Sequence, residues 1–250
     1  MLKWIRKQRF QRVYDLQSND RSGLLCALSG IPERVGNHPC FPYTHHPPDP
    51  WRGQCHIYER SLQLLAAAGI EAEPGPPILP PATGTGDRVD AWLQQHGLND
   101  GGFVIMHAGA SRNHPEKRWP GFAMLAEKVA GAGMTVVWIG TEEDAALNRS
   151  LAEQHGMDAT GEFSVLELAE LGRHAAFAVT NDSGPMHILS ASGIPVYGLF
   201  GPTNWRRNHA IGQKDNVIKA GSDRGFSPTA INKLSVATVI ERLKRDQRIS

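Results

Sequence analysis

Hydrophobic residues in the second half of the chain follow two alternating patterns. Continuously apolar runs predict strands buried on both faces, and they lie at residues 103–108, 134–139, 175–180 and 195–200. Apolar residues spaced three or four positions apart predict helices at residues 121–132, 144–154, 185–192 and 235–244, with a further helix opened by the capping box at residues 164–167. Strands that alternate with helices and are apolar on both faces form a parallel sheet covered on two sides. The pattern therefore predicts an α/β fold.

The first half of the chain carries fewer elements. Residues 12–17 read as a short strand, a helix is expected after Asn19 and Asp20, and residues 59–69 form an amphipathic helix. Residues 73–86 are rich in proline and glycine, which predicts a linker without a helix or a central strand. We therefore expect residues 1–85 to form a partial domain with its linker, and residues 86–250 to form a second domain.

Composition and charge narrow the possible functions. The net charge is only +1, so no global field attracts nucleic acid. No apolar run reaches ~18 residues, and the basic start lacks the apolar core of a secretory signal. Three cysteines without a CxxC spacing suit a reducing cytoplasm. The histidines and cysteines of residues 38–56 fit no zinc spacing and alternate with prolines, so we predict a solvated loop and no metal site.

Parallel sheets bind ligands at the carboxyl ends of their strands, so chemistry is expected just after each strand. Small residues lead from the first strand to Ser111, and Lys117 and Arg118 follow, where they can meet anionic oxygens. Glu142 follows the second strand and can accept hydrogen bonds from a ribose diol. The alternative for Lys117 and Arg118 is a solvated basic turn. The alternative for Glu142 is an acid in the first turn of a helix, where acids are favoured without a ligand.

The segment after the third of these predicted strands, residues 175–180, carries the sharpest signal. Asp182 or Ser183 can cap the following helix, and Gly184 removes steric bulk. The backbone N–H groups of Gly184, Met186 and His187 would then point out of the helix start and form an anion site, with the His187 side chain in reach of a phosphate oxygen. The alternative is a capped helix with a buried histidine.

The next strand ends in Gly201, Pro202 and Thr203, which offer a turn and a hydroxyl group. Several phosphate-compatible loops thus end strands of one sheet. No GxGxxG motif follows a strand and no GxxxxGK[ST] motif occurs, which argues against a dinucleotide oxidoreductase and against a P-loop NTPase. The remaining interpretation is that other loops bind a nucleotide.

Four segments together resemble glycosyltransferase family 9, whose best-known members are ADP-heptose:lipopolysaccharide heptosyltransferases. They are Lys-Arg-Trp-Pro at 117–120, Asp-Ser-Gly-Pro-Met-His at 182–187, Ala-Ser-Gly-Ile-Pro at 191–195 and Phe-Gly-Pro-Thr at 200–203. The resemblance covers most of residues 101–245, and residues 13–17, 21–22 and 34–36 resemble the later half of the family's first domain. It implies the GT-B fold, in which two Rossmann-like domains with parallel sheets face a cleft, with the first domain truncated here.

The resemblance also implies a function. An inverting, metal-independent transfer would move a sugar such as heptose from an ADP-sugar donor to a lipopolysaccharide-type or other glycan acceptor, without a cofactor and with at most peripheral contact to the inner membrane. Lys117 would hold a phosphate, an acid near Glu142 the ribose, and Ser183, Gly184 and His187 the diphosphate. His187 and Lys117 would stabilise the leaving group.

One departure from the family concerns the general base. In the family an acid proposed for this role lies in a loop near the start of the chain, whereas this sequence starts later, at Met1. An inverting transfer needs such a base, and neither Asp15 nor Asp20 matches the missing position. We therefore assign no catalytic base. Two alternatives stay open: a truncated, non-catalytic nucleotide-binding relative, and a GT-B sugar-nucleotide epimerase.

Overall fold

The structure is a computed structural model that describes residues 1–49, 55–73, 75–221 and 228–250. It divides into two compact units, Met1–Gly75 and Pro76–Ser250, which are called the N-terminal and C-terminal units. None of the helices in the described part of the chain combines the length and the apolarity that crossing a bilayer requires.

The N-terminal unit contains a small parallel sheet with three helices. Its elements are α1 (Leu2–Gln8), β1 (Arg12–Tyr14), α2 (Asp20–Ser29), β2 (Glu33–Val35) and α3 (Ile57–Ala67). Strand β1 pairs with β2 in parallel, with Arg12 opposite Glu33. Asn19 caps α2 by accepting a hydrogen bond from the Ser22 backbone N–H. The predicted strand and both predicted helices are confirmed, whereas α1 and β2 were not predicted.

The C-terminal unit is built on a six-stranded sheet in which every pairing is parallel. Its strands are β3 (Phe103–His107), β4 (Thr135–Trp138), β5 (Met157–Asp158), β6 (Phe177–Asn181), β7 (Val196–Phe200) and β8 (Val217–Lys219). Its α-helices are α4 (Thr85–Gln95), α5 (Phe122–Gly131), α6 (Ala145–Ala152), α7 (Val165–His174), α8 (Gly184–Ser190), α9 (Trp205–Asn208) and α10 (Val236–Arg245). The predicted parallel α/β fold is confirmed.

Helices cover both faces of this sheet, as the two-sided apolar strands require. Within β3, Val104 and Met106 belong to one core cluster, which includes α5 and α10. Phe103 and Ile105 belong to the other, which includes α4, α7 and α8. Because successive strand residues point to opposite faces, one continuous apolar run serves both cores.

The strand order β5-β4-β3-β6-β7-β8 creates a switch point beside β3. The chain leaves β3 toward β4 on one side, and β6 later pairs with the other side of β3. The loops that follow β3 and β6 therefore diverge, and a crevice opens at the carboxyl ends of these strands, where ligands of open α/β sheets bind.

The proline-rich stretch differs from its prediction. The structure divides the chain at Gly75, so Leu79 lies within the C-terminal unit. There its backbone N–H donates to the Ala191 carbonyl, and its carbonyl accepts from the Arg173 guanidinium. A helix also begins at Thr85, so the expectation that residues 84–86 exclude a helix is wrong. Gly84 occupies the N-cap with a φ of 78°, and glycine is tolerated there because buried residues farther along α4 provide the packing.

Candidate functional site

A cavity of about 420 Å³ opens at the carboxyl ends of the central strands. Its polar side is formed by His107, at the end of β3, by Ser111, and by Ser183 and Gly184 at the start of α8. Glu143 adds a carboxylate from the turn after β4. These residues come from the loops that diverge at the switch point, so the cavity occupies the crevice that the strand order creates.

The other side of the cavity is apolar. Ile139 follows β4, Phe163 and Leu168 flank the start of α7, and Ile188 projects from α8. The Phe163 ring packs edge-to-face against Trp92 at a centroid distance of 5.1 Å, which fixes its position. A cavity with one polar and one apolar end suits a ligand that joins an anion to a flat hydrophobic group.

A buried chain of polar side chains lies beneath the polar end. The Nδ1 atom of His107 lies 3.0 Å from the Ser183 Oγ atom, and the His107 Nε2 atom lies 3.8 Å from Asp144 Oδ2. Ser183 Oγ also donates to the Asn181 carbonyl at 3.2 Å. His107 is 4% exposed and Asp144 is 5% exposed. The hydroxyl that lines the cavity is thus connected to a buried carboxylate through one imidazole ring.

Asp144 is held as a carboxylate at this position. Burial disfavours its charge, but the interaction with His107, the hydrogen bond from the Thr141 backbone N–H and the Arg118 guanidinium 3.6 Å away outweigh it and place its pKa below the ordinary value of 3.8. The chain approaches this carboxylate through Gly109 and Gly140, where a Cβ atom would clash with Asp144. The two glycines make room for a charged group behind the cavity.

Replacing Asp144 by asparagine is expected to lower stability by roughly 1 kcal/mol at pH 7, because hydrogen bonds to the charged carboxylate weaken. A depressed pKa stabilises the fold above the unfolded-state value near 3.8 and loses that contribution as pH falls through the folded-state pKa. The difference between wild type and variant in urea unfolding should therefore hold from pH 7 to pH 5 and shrink below about pH 4. The exposed Glu127→Gln is the control. If the stability difference between wild type and Asp144→Asn is unchanged at pH 3, the pKa of Asp144 is not depressed.

The lysine predicted to hold a phosphate lies next to the cavity wall. Lys117 Nζ is 2.9 Å from Asp182 Oδ2 and 3.4 Å from the Asp182 carbonyl. The Lys117 side chain is 19% exposed and that of Asp182 is 7% exposed, so the pair is largely shielded from water. Asp182 thus holds the lysine beside Ser183 and does not cap α8. The N-cap is Ser183, and its side chain makes no capping hydrogen bond.

Asn181 joins three segments around the site, a role that the sequence analysis did not assign. It is fully buried at the end of β6. Its Nδ2 atom donates to the carbonyls of Ala108 and Gly109 at 2.9 and 3.0 Å, and its Oδ1 atom accepts from the Trp119 backbone N–H at 3.2 Å. An asparagine directly after a buried strand and before the Asp-Ser-Gly segment was the available signal. Its amide fixes the loop that follows β3.

The predicted donor-binding residues separate into groups in the structure. Ser111, Ser183 and Gly184 line the cavity, and Glu143 does so in place of its neighbour Glu142. Of the described residues around the cavity, none belongs to the Gly201–Pro202–Thr203 turn. Gly201 instead packs against the backbone of residues 229–231.

Met186 also departs from its predicted role. Its side chain is 1% exposed and lies in the core, and its backbone N–H donates to the Ser183 carbonyl at 3.2 Å rather than pointing outward. Trp119 of the Lys-Arg-Trp-Pro segment is equally buried, and its Nε1 atom donates to the Leu234 carbonyl at 2.8 Å. Both positions within the motifs are structural, because their apolar bulk fills the space between sheet and helices.

Asp15 is engaged in hydrogen bonds within the N-terminal unit. Asp15 is buried, and its carboxylate accepts hydrogen bonds from the Tyr43 hydroxyl at 2.5 Å and from the Ser18 backbone N–H at 2.8 Å. Burial and the hydrogen bond to Asp15 raise the pKa of Tyr43. Within the described ranges, no group of three or more histidine, cysteine or carboxylate side chains could hold a metal ion.

Comparison with known proteins places the chain in a family. The model for "Glycosyltransferase family 9 (heptosyltransferase)" matches residues 1–233. Lipopolysaccharide heptosyltransferase 2 of Escherichia coli (strain K12) is 26% identical over 86% of this chain, and the chain spans 66% of that relative, just under two thirds. Lipooligosaccharide heptosyltransferase 2 of Haemophilus influenzae is 29% identical over 42% of the chain.

Solved structures share the fold. A family 9 glycosyltransferase from Veillonella parvula superposes with a TM-score of 0.78 at 22% identity, covering 98% of this chain and 77% of that one. E. coli heptosyltransferase WaaC with ADP gives a TM-score of 0.69 at 17% identity, covering 98% and 77%. These likenesses confirm the predicted α/β fold of GT-B type. Because the family model matches residues 1–233 of the 250-residue chain, the chain belongs to glycosyltransferase family 9.

Proposed function

We propose that this protein is an inverting, metal-independent glycosyltransferase that binds an ADP-sugar in the cavity of the C-terminal unit and transfers its heptose to a lipopolysaccharide-type acceptor. Three of the similar proteins named above are heptosyltransferases, and the structure of one of them contains ADP. The proposal extends their chemistry to this chain, because the chain belongs to their family.

The observation that carries the proposal is the two-ended cavity. About 420 Å³ falls within the range of small-ligand sites, roughly 300 to 1,000 Å³. A nucleoside diphosphate has a flat apolar base at one end and a charged diphosphate at the other. The apolar walls of Phe163 and Leu168 suit the base, whereas Ser111, Ser183 and Gly184 suit the diphosphate. Glu143, which lines the cavity, or its neighbour Glu142 is proposed to accept hydrogen bonds from the ribose.

The leaving group of the transfer is the ADP diphosphate, on which negative charge develops as the glycosidic bond breaks. Lys117 and His187 are proposed to stabilise that charge, Lys117 as a cation held by Asp182 and His187 from the first turn of α8. Donors held in place before the reaction lower the barrier because they need not reorganise during it. The Gly201–Thr203 turn is proposed to contact the sugar side of the donor.

The acceptor is proposed to be a glycan, lipid-linked in the lipopolysaccharide case, that reaches the protein at the inner face of the inner membrane. Residues 1–85 are proposed to form the acceptor side, and the protein is proposed to be cytoplasmic with at most peripheral membrane contact. Net charge of +1 offers no general attraction to nucleic acid, which we do not propose as a partner.

Calorimetry with three nucleotides tests the donor site. ADP is expected to bind with a dissociation constant in the micromolar range, roughly −8 kcal/mol, and UDP and GDP at least about tenfold more weakly, since the apolar end must match the base. ADP-heptose incubated with a lipopolysaccharide acceptor that lacks heptose should then yield ADP. Absence of ADP binding by the folded protein would overturn the proposal, and conversion of the ADP-sugar to an epimer without any acceptor would favour an epimerase.

A further inference from the structure

The buried imidazole of His107 lies between the Ser183 hydroxyl and the Asp144 carboxylate, and all three residues line the cavity. Its Nδ1 atom is 3.0 Å from the Ser183 hydroxyl oxygen, which lines the cavity, and its Nε2 atom is 3.8 Å from Asp144 Oδ2. Asp144 Oδ1 is buried and has no hydrogen-bond partner within the described residues. None of the roles assigned to the donor site uses this histidine, although it is 4% exposed and faces a polar atom on each side.

The protonation state of the His107 ring decides whether the Ser183 hydroxyl can donate to an anion in the cavity. A neutral ring that donates from Nε2 toward Asp144 presents a lone pair at Nδ1, so the single Ser183 hydroxyl proton is used to satisfy it. A neutral ring protonated at Nδ1 frees the hydroxyl proton but turns a lone pair toward the Asp144 carboxylate, which is unfavourable. Only the doubly protonated ring presents an N–H on both sides, so that the Ser183 O–H can turn from the Asn181 carbonyl to a ligand.

A diphosphate in the cavity favours this doubly protonated state for two reasons. Its oxygens accept hydrogen bonds only, so Ser183 must donate its proton to bind them. Its negative charge also favours a cation in the buried layer directly behind Ser183, where screening by water is weak. Asp144 provides the second partner for that cation, and its position is set by Gly109 and Gly140.

We propose that His107 is a positioning residue that takes up a proton from solvent when the donor diphosphate binds, and thereby turns the Ser183 hydroxyl toward the phosphate. The step adds one proton to the ring, and no covalent bond in the donor forms or breaks. The inference rests on the proposed donor site and adds to it a coupling between nucleotide binding and proton uptake.

Other charged groups face this layer from each neighbouring element. The Asp144 carboxylate lies 3.8 Å from the ring, and the Arg118 guanidinium lies 3.6 Å from Asp144 Oδ1. Beside Ser183, Lys117 and Asp182 form an ion pair, and across the cavity Glu143 pairs with Arg112 at 3.1 Å. These two pairs are each neutral in sum, so His107 is the group in this layer that can gain a proton. The other imidazole at the proposed donor site, His187, is exposed on the first turn of α8.

Calorimetry of ADP binding in two buffers with different ionisation enthalpies measures the proton uptake. At pH 7.5 we expect the wild type to take up about half a proton per ADP bound. His107→Asn keeps a donor at the position of Nδ1 but cannot be protonated, so it should bind ADP within about threefold of wild type and take up no such proton. His107→Leu removes the donor and should weaken ADP binding about tenfold.

The matched control is His96→Gln, an exposed histidine at the end of α4, which should change neither affinity nor proton uptake. If the variants do not fold, NMR of the wild type gives the answer. The His107 ring signals should titrate at higher pH with ADP than without it. Equal proton uptake by wild type and His107→Asn, or a ring whose titration ADP leaves unchanged, overturns the inference while the donor site stands. If ADP does not bind at all, the donor site and the inference both fail.

Discussion

Replacing Lys117 by methionine is expected to weaken ADP binding by about a hundredfold. Hydrogen bonds to charged groups contribute roughly 1.5 to 3 kcal/mol, and the upper end of that range corresponds to about a hundredfold. The upper end applies here because the substitution has two effects. It removes a cation from beside the diphosphate, and it leaves the Asp182 carboxylate, 7% exposed, unpaired at a position where it repels the ligand. Calorimetry with ADP measures the loss.

Two further variants separate these effects. Asp182→Asn in the Lys117→Met background removes the unpaired carboxylate and should restore part of the affinity, because the repulsion disappears although the cation stays absent. Lys128→Met, an exposed lysine on α5, is the matched control for a lost positive charge and should bind ADP like the wild type. If Lys117→Met binds ADP within about threefold of wild type, Lys117 does not hold the diphosphate.

Asn181→Ala is expected to destabilise the protein by about 4 kcal/mol. The substitution leaves three buried backbone groups without their partner, the carbonyls of Ala108 and Gly109 and the Trp119 N–H. A buried polar group that loses its hydrogen bond costs roughly 1 to 3 kcal/mol, and water can reach part of the space that the smaller side chain vacates. Urea unfolding measures the change in stability.

The same variant should lose ADP affinity even where it is folded, because the loop from Gly109 to Ser111 is no longer held against β6. Asn99→Ala, an exposed asparagine between α4 and β3, is the control and should change stability by less than about 0.5 kcal/mol. A loss below 1 kcal/mol for Asn181→Ala would show that water replaces the amide, and that the loop does not depend on this side chain.

Much of the C-terminal unit could be predicted because its signals are local. Continuous apolar runs gave the positions of β3, β4, β6 and β7, the helical spacing located α5 and α10, and the capping box marked the start of α7. The missed elements were those with weak patterns. Strands β5 and β8 are short edge strands of two and three residues, and α4 begins within glycines that read as part of a linker.

The candidate site was predictable to the level of segments but not of side chains. The segment 182–187 was expected to hold an anion, and Ser183 and Gly184 do line the cavity. Within the same six residues, Met186 faces the core and Asp182 binds a lysine that lies far away in sequence. Spacing along one segment does not reveal these orientations, because the partners come from other strands.

The residues at the apolar end of the cavity could not be predicted from the sequence either. Phe163 and Leu168 belong to the start of α7, which the sequence marks only by its capping box. They meet Ile188 because α7 and α8 pack on the same face of the sheet. No motif precedes them, and their place in the site follows from the order of the strands alone.

The sequence by itself determined the central strands and most helices of the C-terminal unit, the parallel α/β class, the family and the loops that carry polar chemistry. These depend on periodicity and on short segments, which are properties of neighbouring residues. Only the tertiary structure decided that His107 joins Ser183 to Asp144, that Asn181 holds the loop after β3, and that Met186 belongs to the core. Each of these is a contact between segments distant along the chain, and such contacts exist only once the sheet has brought the strand ends together.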